Sequence, residues 1–180
     1  MSLAHAILGF LNQQPMTGYD LKVGCFDGSV VYFWPADQAQ IYRTLDRLTK
    51  QGYIESTIEY QDERPNRKVY SITDGGRAEL RRWLITPQPL AIHREPFLVQ
   101  LFFGDGLDND VLARLLEDQL TLHQEQLAAY QQIPLPGVDA PGMTRALILQ
   151  RLTLDLGANS EKMYIQWLEE SIKLIRHLRD

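Results

Sequence analysis

Residues 37–73 read DQAQIYRTLDRLTKQGYIESTIEYQDERPNRKVYSIT, and the spacing of their apolar residues changes period in the middle of the stretch. Asp37 can accept hydrogen bonds from first-turn amides, and Gln40, three residues later, can reach back to it as in a capping box. Gly52 suits the position just after a helix end. The signals predict a helix over 37–51. Its apolar face is expected to be Ile41, Leu45 and Leu48.

The second part of the stretch alternates apolar and polar residues, which is the period of a β-strand. The alternation runs over residues 54–60, stops at the charged segment 61–67, and resumes over 68–72. Two such runs joined by a short polar segment predict a β-hairpin with a charged tip. Thr73 and Asp74 can then cap a further helix. Its apolar face is expected to be Leu80, Trp83 and Leu84.

Two helices are also predicted upstream of this stretch. Residues 4–11 place apolar side chains at helical spacing, and the segment 17–20, TGYD, can cap a second helix that carries Leu21 inward. Asp20 suits the positive end of that helix. Three helices, a hairpin and a fourth helix predict a winged helix-turn-helix domain over residues 1–85.

A proline-containing segment, 86–89, separates this domain from a second one over residues 91–180. The second domain has no strand signals, and helices are predicted over 95–103, 108–132 and 143–178. The fold class is therefore mostly α with a small β-hairpin. Apolar residues of the last helix cover more than one face, which a single partner helix cannot bury. We therefore expect a helical dimerisation domain that makes the protein a homodimer, through Leu152, Leu156, Met163, Trp167, Ile172 and Ile175.

Charge is distributed unevenly between the two domains. The net charge is −5, but residues 1–90 carry ten basic and ten acidic side chains, whereas residues 91–180 carry eight and thirteen. A nucleic-acid surface in the first half is therefore expected only as a local patch. No apolar run approaches the roughly 20 residues that span a bilayer, and no charged secretory signal opens the sequence. We expect a cytoplasmic protein without a membrane partner.

The helix over 37–51 carries its basic residues on the side opposite its apolar face. Guanidinium groups there can pair with guanine edges or phosphates, and glutamines in the first turn are the residue type that reads adenine. The hairpin tip adds a second basic cluster that is suited to a minor groove or to the flanking DNA backbone. The candidate contacts with double-stranded DNA are Gln38, Gln40, Tyr42, Arg43, Arg47, Lys50, Arg64, Asn66, Arg67 and Lys68.

Other classes of function have weaker support in the sequence. No nucleophile-elbow, zinc-protease or phosphate-loop motif is present, the four histidines show no metal-ligand spacing, and His123 is expected to be a surface residue. We therefore expect no enzyme activity, no metal and no cofactor. Cys25, the single cysteine, is either a small packed hydrophobe or an oxidant sensor. The alternative function is a winged-helix protein-interaction module that has lost DNA binding.

Several segments together resemble the PadR family of bacterial transcriptional regulators. The resemblance covers most of residues 2–85 and rests on SLAHAIL (2–8), TGYDL (17–21), YFW (32–34), GYI (52–54) and RKVYSIT (67–73). The segments REPF (94–97) and QWL (166–168) are similar to the C-terminal domain of the virulence-activator-alpha branch. Many relatives have proline where this sequence has Arg43, which points to a different operator preference.

The resemblance implies a winged-helix homodimer that binds a partly palindromic operator. It implies that 37–51 is the recognition helix and 59–68 the wing. Some relatives respond to phenolic acids or flat aromatic drugs, which raises a small aromatic inducer as a further partner. The three tryptophans do not by themselves indicate one, because Trp34 and Trp83 are expected to pack in the core and Trp167 in the dimer interface.

Overall fold

The computed structural model describes residues 2–60, 66–92 and 94–178, and they divide into two compact units, 1–90 and 91–180. The expected fold class is confirmed, since the described chain is mostly helical with one small antiparallel sheet. Arg64 and His93 lie outside the described residues. Within the described part of the chain, no helix is both long enough and apolar enough to cross a bilayer.

The first unit contains the expected helices. They are α1 Ser2–Gln13, α2 Gly18–Asp20, which continues as a π-helical segment Leu21–Ser29, α3 Gln38–Lys50 and α4 Asp74–Leu84. Their apolar faces enclose one core together with the sheet. Its fully buried side chains include Ile7, Leu8, Leu21, Phe26, Ile41 and Leu45.

The hairpin is confirmed as strands β2 Ile54–Glu59 and β3 Arg67–Ile72, paired from Ile54 opposite Ile72 to Glu59 opposite Arg67. A third strand, β1 Met16–Thr17, pairs with the other edge of β3, so that the order is β1-β3-β2. β1 was not predicted, because two residues are too few to show a strand period.

The expected helix caps are present. The Asp37 carboxylate accepts from the Gln40 amide at 2.7 Å, and the Gln40 side chain accepts from the Asp37 amide at 3.1 Å. Thr73 caps α4 by accepting from the Gly76 amide at 3.1 Å. Gly52, with φ +72°, follows α3 in the left-handed conformation that favours glycine.

Two apolar side chains lie outside the core where the sequence placed them inside. Leu84 is 66% exposed, because it is the last residue of α4 and the core contacts that helix at Leu80. Trp34 is 38% exposed, because it follows the turn at residues 30–33, with its amide donating to the Val30 carbonyl, and no helical face directs it inward. Trp83 is half-buried and stacks on the His5 ring at 4.5 Å.

The second unit contains three helices close to the expected bounds: α5 Pro96–Phe102, α6 Asn109–Gln131 and α7 Arg145–His177. α6 and α7 pack along each other. Leu116, Leu168 and Ile172 form the buried centre of this pair. Around them lie partly buried apolar side chains, namely Phe97, Leu101, Leu120, Trp167 and Ile175.

Candidate nucleic-acid interface

The outward face of α3 is the largest part of the candidate site. The helix buries Ile41, Leu45 and Leu48 as expected, and it also buries Thr44, whose hydroxyl donates to the Gln40 carbonyl at 2.8 Å. Every candidate contact on this helix is exposed, namely Gln38, Gln40, Tyr42, Arg43, Arg47 and Lys50. One exposed face therefore carries three cations above a buried apolar face, a suitable arrangement for a helix lying in a major groove.

Gln40 has a structural role at the start of α3. Its side-chain oxygen accepts a hydrogen bond from the Asp37 backbone amide, and its own backbone amide donates one to the Asp37 carboxylate. A bidentate contact with adenine needs both the oxygen and the nitrogen of the side-chain amide. Because the oxygen is already engaged in the cap, Gln38 is the better candidate for a base contact in this turn.

Tyr42 joins the two helices of the helix-turn-helix. Its ring lies so close to the Gly18 backbone in α2 that a Cβ atom at Gly18 would be 2.7 Å from the ring carbon Cζ. The residue is nevertheless 38% exposed. Tyr42 therefore packs one part of its ring on α2 and presents another part to solvent.

The described part of the wing carries a second cationic group. Asn66, Arg67 and Lys68 are all exposed, and the Lys68 ammonium lies 5.2 Å from the centre of the Tyr70 ring. Arg67 differs from its neighbours because its Nη2 donates to the Asp20 carboxylate at 3.0 Å. Arg64, the fourth predicted wing contact, lies outside the described residues.

Asp20 contacts the wing and was not among the predicted site residues. It was recognised as a helix-start residue, and Thr17 and Asp20 do form a capping box. Hydrogen bonding by the Thr17 hydroxyl, with smaller contributions from the Thr17 amide and Arg67, holds the pKa of the Asp20 carboxyl below its usual range despite partial burial. Its pairing with Arg67 could not be read from the sequence, since 47 positions separate the two residues.

Neither a metal centre nor a reactive thiol emerges from the described residues. Over 2–60, 66–92 and 94–178, no three His, Cys, Asp or Glu side chains come together as metal ligands. Cys25 is buried with its sulfur 3.8 Å from that of Met16, and burial raises the pKa of the thiol. A raised pKa disfavours the reactive thiolate, so the packing role fits Cys25 better than the sensing role.

His123 is not the simple surface residue that was expected. Its Nδ1 lies 2.5 Å from the Glu161 carboxylate, and its ring stacks on Tyr164 at 4.5 Å. The Tyr164 hydroxyl donates to Glu95 at 2.5 Å. Glu161 and Tyr164 lie in α7, and Glu95 lies at the start of α5, so the sequence of α6 alone does not indicate these contacts.

The six predicted dimerisation residues fall into two groups. Leu152, Leu156 and Met163 are 56%, 71% and 56% exposed. Ile172 is buried in the core between α6 and α7, and Trp167 and Ile175 pack against that core. The first group is mostly exposed and Ile172 is used within its own chain, whereas Trp167 and Ile175 are only partly buried there and keep an exposed part.

Comparisons with known proteins agree with this architecture. The profile of the transcriptional regulator PadR-like family matches residues 7–82, and that of the virulence activator alpha C-terminal domain matches residues 93–176. The chain is 30% identical over 178 residues to the negative transcriptional regulator PadR of Bacillus subtilis, covering 96% of this chain and 97% of that protein. It is 34% identical over 190 residues to the probable transcriptional regulator Rv1176c of Mycobacterium tuberculosis, covering 99% and 100%.

Solved structures of the Bacillus subtilis protein have the same fold. PadR in complex with operator DNA superimposes with a TM-score of 0.85 at 30% identity, covering 97% of this chain and 99% of that one. PadR in complex with p-coumaric acid gives a TM-score of 0.78 at 29% identity, covering 98% and 100%. The resemblance found in the sequence is thereby confirmed, and the chain belongs to the PadR-like family of transcriptional regulators.

Proposed function

We propose that this regulator works in the cytoplasm as a homodimer that binds a partly palindromic operator through α3 and the wing. The observation that carries the proposal is the exposed face of α3, where Arg43, Arg47 and Lys50 lie opposite a buried apolar face. The operator complex of the similar Bacillus subtilis protein supports it. Regulation through DNA contact requires no catalytic residue, and we propose no enzyme activity.

The contacts on α3 divide by chemistry. Arg43 and Arg47 are four residues apart and so lie on the same side of the helix, where each can pair with a guanine edge or a phosphate. Gln38 is proposed to read an adenine from the first turn, and Tyr42 to contact a phosphate or thymine methyl with its exposed part. Lys50 in the last turn is proposed to contact the phosphate backbone.

The wing is proposed to contact the backbone beside the major-groove site. Asn66 and Lys68 are exposed at the start of β3 and supply a donor and a cation. Arg64 remains a prediction from the sequence. Arg67 is not proposed as a backbone contact, because its guanidinium group is paired with Asp20.

The test compares operator binding of the wild type with Arg43→Ala and Arg47→Ala, by fluorescence anisotropy on DNA upstream of the protein's own gene. Each substitution should weaken binding by about 1–3 kcal/mol, and a lost phosphate contact should lower the salt slope by about one. Arg81→Ala, which removes an exposed arginine of α4, is the matched control and should bind as the wild type does. Unchanged binding in both α3 variants would contradict the placement of α3 on DNA.

The dimer is proposed to form through an apolar stripe on α7. With about 100° between successive residues, Leu152, Leu156 and Met163 fall within about 40° of one another. Further exposed apolar residues extend this stripe toward both ends of the helix, namely Ile148, Leu149 and Leu174. A surface of this kind on a soluble chain is expected to be covered by a partner.

Light scattering tests the dimer. Leu156→Glu should convert a dimer into a monomer at low micromolar concentration, because it places a charge in the centre of the stripe. Gln150→Glu adds the same charge to an exposed polar position on the other side of α7 and should leave the dimer intact. A wild-type chain that is already monomeric would refute the proposed assembly.

A small aromatic acid is proposed as an inducer. The support is the complex of the Bacillus subtilis relative with p-coumaric acid. Aromatic acids should release the protein from its operator and change its tryptophan fluorescence. A panel of such acids that changes neither signal would rule the proposal out.

A further inference from the structure

We propose that Asp20 is a positioning residue for operator recognition, because its carboxylate holds Arg67 and so attaches the wing to the start of α2. The inference deepens the proposed function and rests on it. In this proposal neither residue contacts DNA itself, although the sequence predicted Arg67 as a contact. Their role is to set where the rest of the wing lies relative to the helix-turn-helix.

Three donors converge on one oxygen of Asp20. The Oδ2 atom accepts from the Thr17 amide at 3.1 Å, from the Thr17 hydroxyl at 2.8 Å and from Arg67 Nη2 at 3.0 Å. The Asp20 amide in turn donates to the Thr17 hydroxyl at 3.0 Å. The capping box therefore holds the carboxylate in one orientation, and Arg67 meets an acceptor that is already in place.

Arg67 lies where the described wing leaves the sheet. It is the first residue of β3 and pairs with Glu59, the last residue of β2. Two positions further along β3, Val69 pairs with Thr17 in β1. The returning strand of the wing is thus tied to the start of α2 twice, by backbone pairing at Val69 and by a side-chain ion pair at Arg67.

Electrostatics alone predicts the opposite effect for Asp20. A carboxylate near a surface that binds phosphates repels them, so its neutralisation should strengthen binding to any DNA. If Asp20 instead positions the wing, removal of its charge should weaken operator binding and leave nonspecific DNA binding unchanged or stronger. The sign of the change therefore separates the two roles.

The paired state also restricts what Arg67 can do. Its charge is compensated by Asp20, so we assign it no phosphate contact of its own. Removal of Arg67 should then act through the same attachment as removal of the Asp20 charge. The two substitutions together should cost no more than either one alone.

The experiment measures operator and nonspecific binding at several salt concentrations for Asp20→Asn, Arg67→Gln and the double variant. We expect each single variant to lose at least fivefold in operator affinity, the double variant to lose no more, and the salt slopes to stay unchanged. Arg67→Lys, which keeps a cation within reach of Asp20, should restore part of the loss. Asp27→Asn is the matched control, since it removes an acid paired with Lys22 in the π-helical segment and leaves the wing untouched.

Three results would overturn the inference while the wild type still binds its operator. One is an Asp20→Asn variant that binds as tightly as the wild type or more tightly. Another is a double variant whose loss of operator affinity equals the sum of the two single losses in free energy. The third is an Arg67→Gln variant whose salt slope falls by about one, which would make Arg67 a phosphate contact. Arg67→Gln leaves the capping box intact, so it tests the attachment even where Asp20→Asn unfolds α2. A wild-type protein that binds no operator would instead refute the proposed function itself.

Discussion

The substitution Gly76→Ala should destabilise the first unit, although alanine is normally the better residue in a helix. Gly76 lies in the first turn of α4, where its amide donates to the capping hydroxyl of Thr73. A Cβ atom added to Gly76 would be 2.1 Å from the Tyr53 carbonyl oxygen and 2.7 Å from Cγ1 of Ile72. The Tyr53 oxygen cannot simply swing away, because it accepts from the Thr73 amide at 3.0 Å.

The magnitude follows from these contacts. Non-bonded heavy atoms rest about 3.5 Å apart, so the backbone must separate by more than about 1 Å to admit the methyl group. Overpacking of this kind costs up to about 3 kcal/mol. Weakening the Thr73–Tyr53 hydrogen bond adds about 1 kcal/mol, and the helix propensity of alanine offsets about 1 kcal/mol. We expect a net loss of about 3 kcal/mol in the free energy of unfolding.

The neighbouring glycine provides the control. A Cβ atom at Gly75 would meet the Thr73 hydroxyl at 3.6 Å and the Gly52 carbonyl at 3.7 Å, which are ordinary contacts. Gly75→Ala should therefore leave stability unchanged or raise it by up to about 1 kcal/mol. Urea denaturation followed by far-ultraviolet circular dichroism and by tryptophan fluorescence measures both variants. If Gly76→Ala unfolds at the same urea concentration as Gly75→Ala, the steric reasoning is wrong.

Two further substitutions test other contacts. Gly18→Ala should push the Tyr42 ring off α2 and lower operator affinity about tenfold, or about 1.4 kcal/mol. Gly24→Ala is the control and should bind normally, because an added Cβ atom there meets nothing within 4 Å. Equal operator affinities for the two variants would show that the position of the Tyr42 ring does not matter. Hydrogen bonding to Glu95 raises the pKa of Tyr164 to about 12 from 10.0, so this tyrosine contributes stability that is complete below pH 10 and is lost as the pH rises to about 12. Tyr164→Phe should therefore lose less stability than the wild type between pH 10 and about 12, by about 1 kcal/mol once solvent screening of this partly exposed group is counted. Parallel stability curves for the two proteins above pH 10 would contradict this prediction.

Local features of the sequence were sufficient for most of the helices and for the hairpin. The capping boxes at Thr17 and Asp37 and the stop at Gly52 depend on residues a few positions apart, so they can be read from neighbouring letters. The exposed face of α3 follows from the same periodicity, because burial of every third or fourth residue leaves the residues between them in solvent. The basic surface of α3 was therefore predictable before any coordinates.

The sequence could not determine which distant side chains meet. Three contacts join elements that are far apart in the chain. They are the pairing of β1 with β3, the Asp20–Arg67 ion pair and the contact of His123 with Glu161. Periodicity identifies the face that a helix buries, but it does not identify the residue on the opposite element.

Helix α7 shows why, because some of its apolar residues are buried within the chain and others stay exposed. The sequence determined that α7 is apolar over more than one face, and hence that more than one surface must cover it. Only the tertiary structure decided that Ile172 is buried against α6 in its own chain while Leu156 stays exposed. Apolar side chains gain the same free energy from either kind of burial, so hydrophobicity alone cannot assign a residue to the core or to an interface.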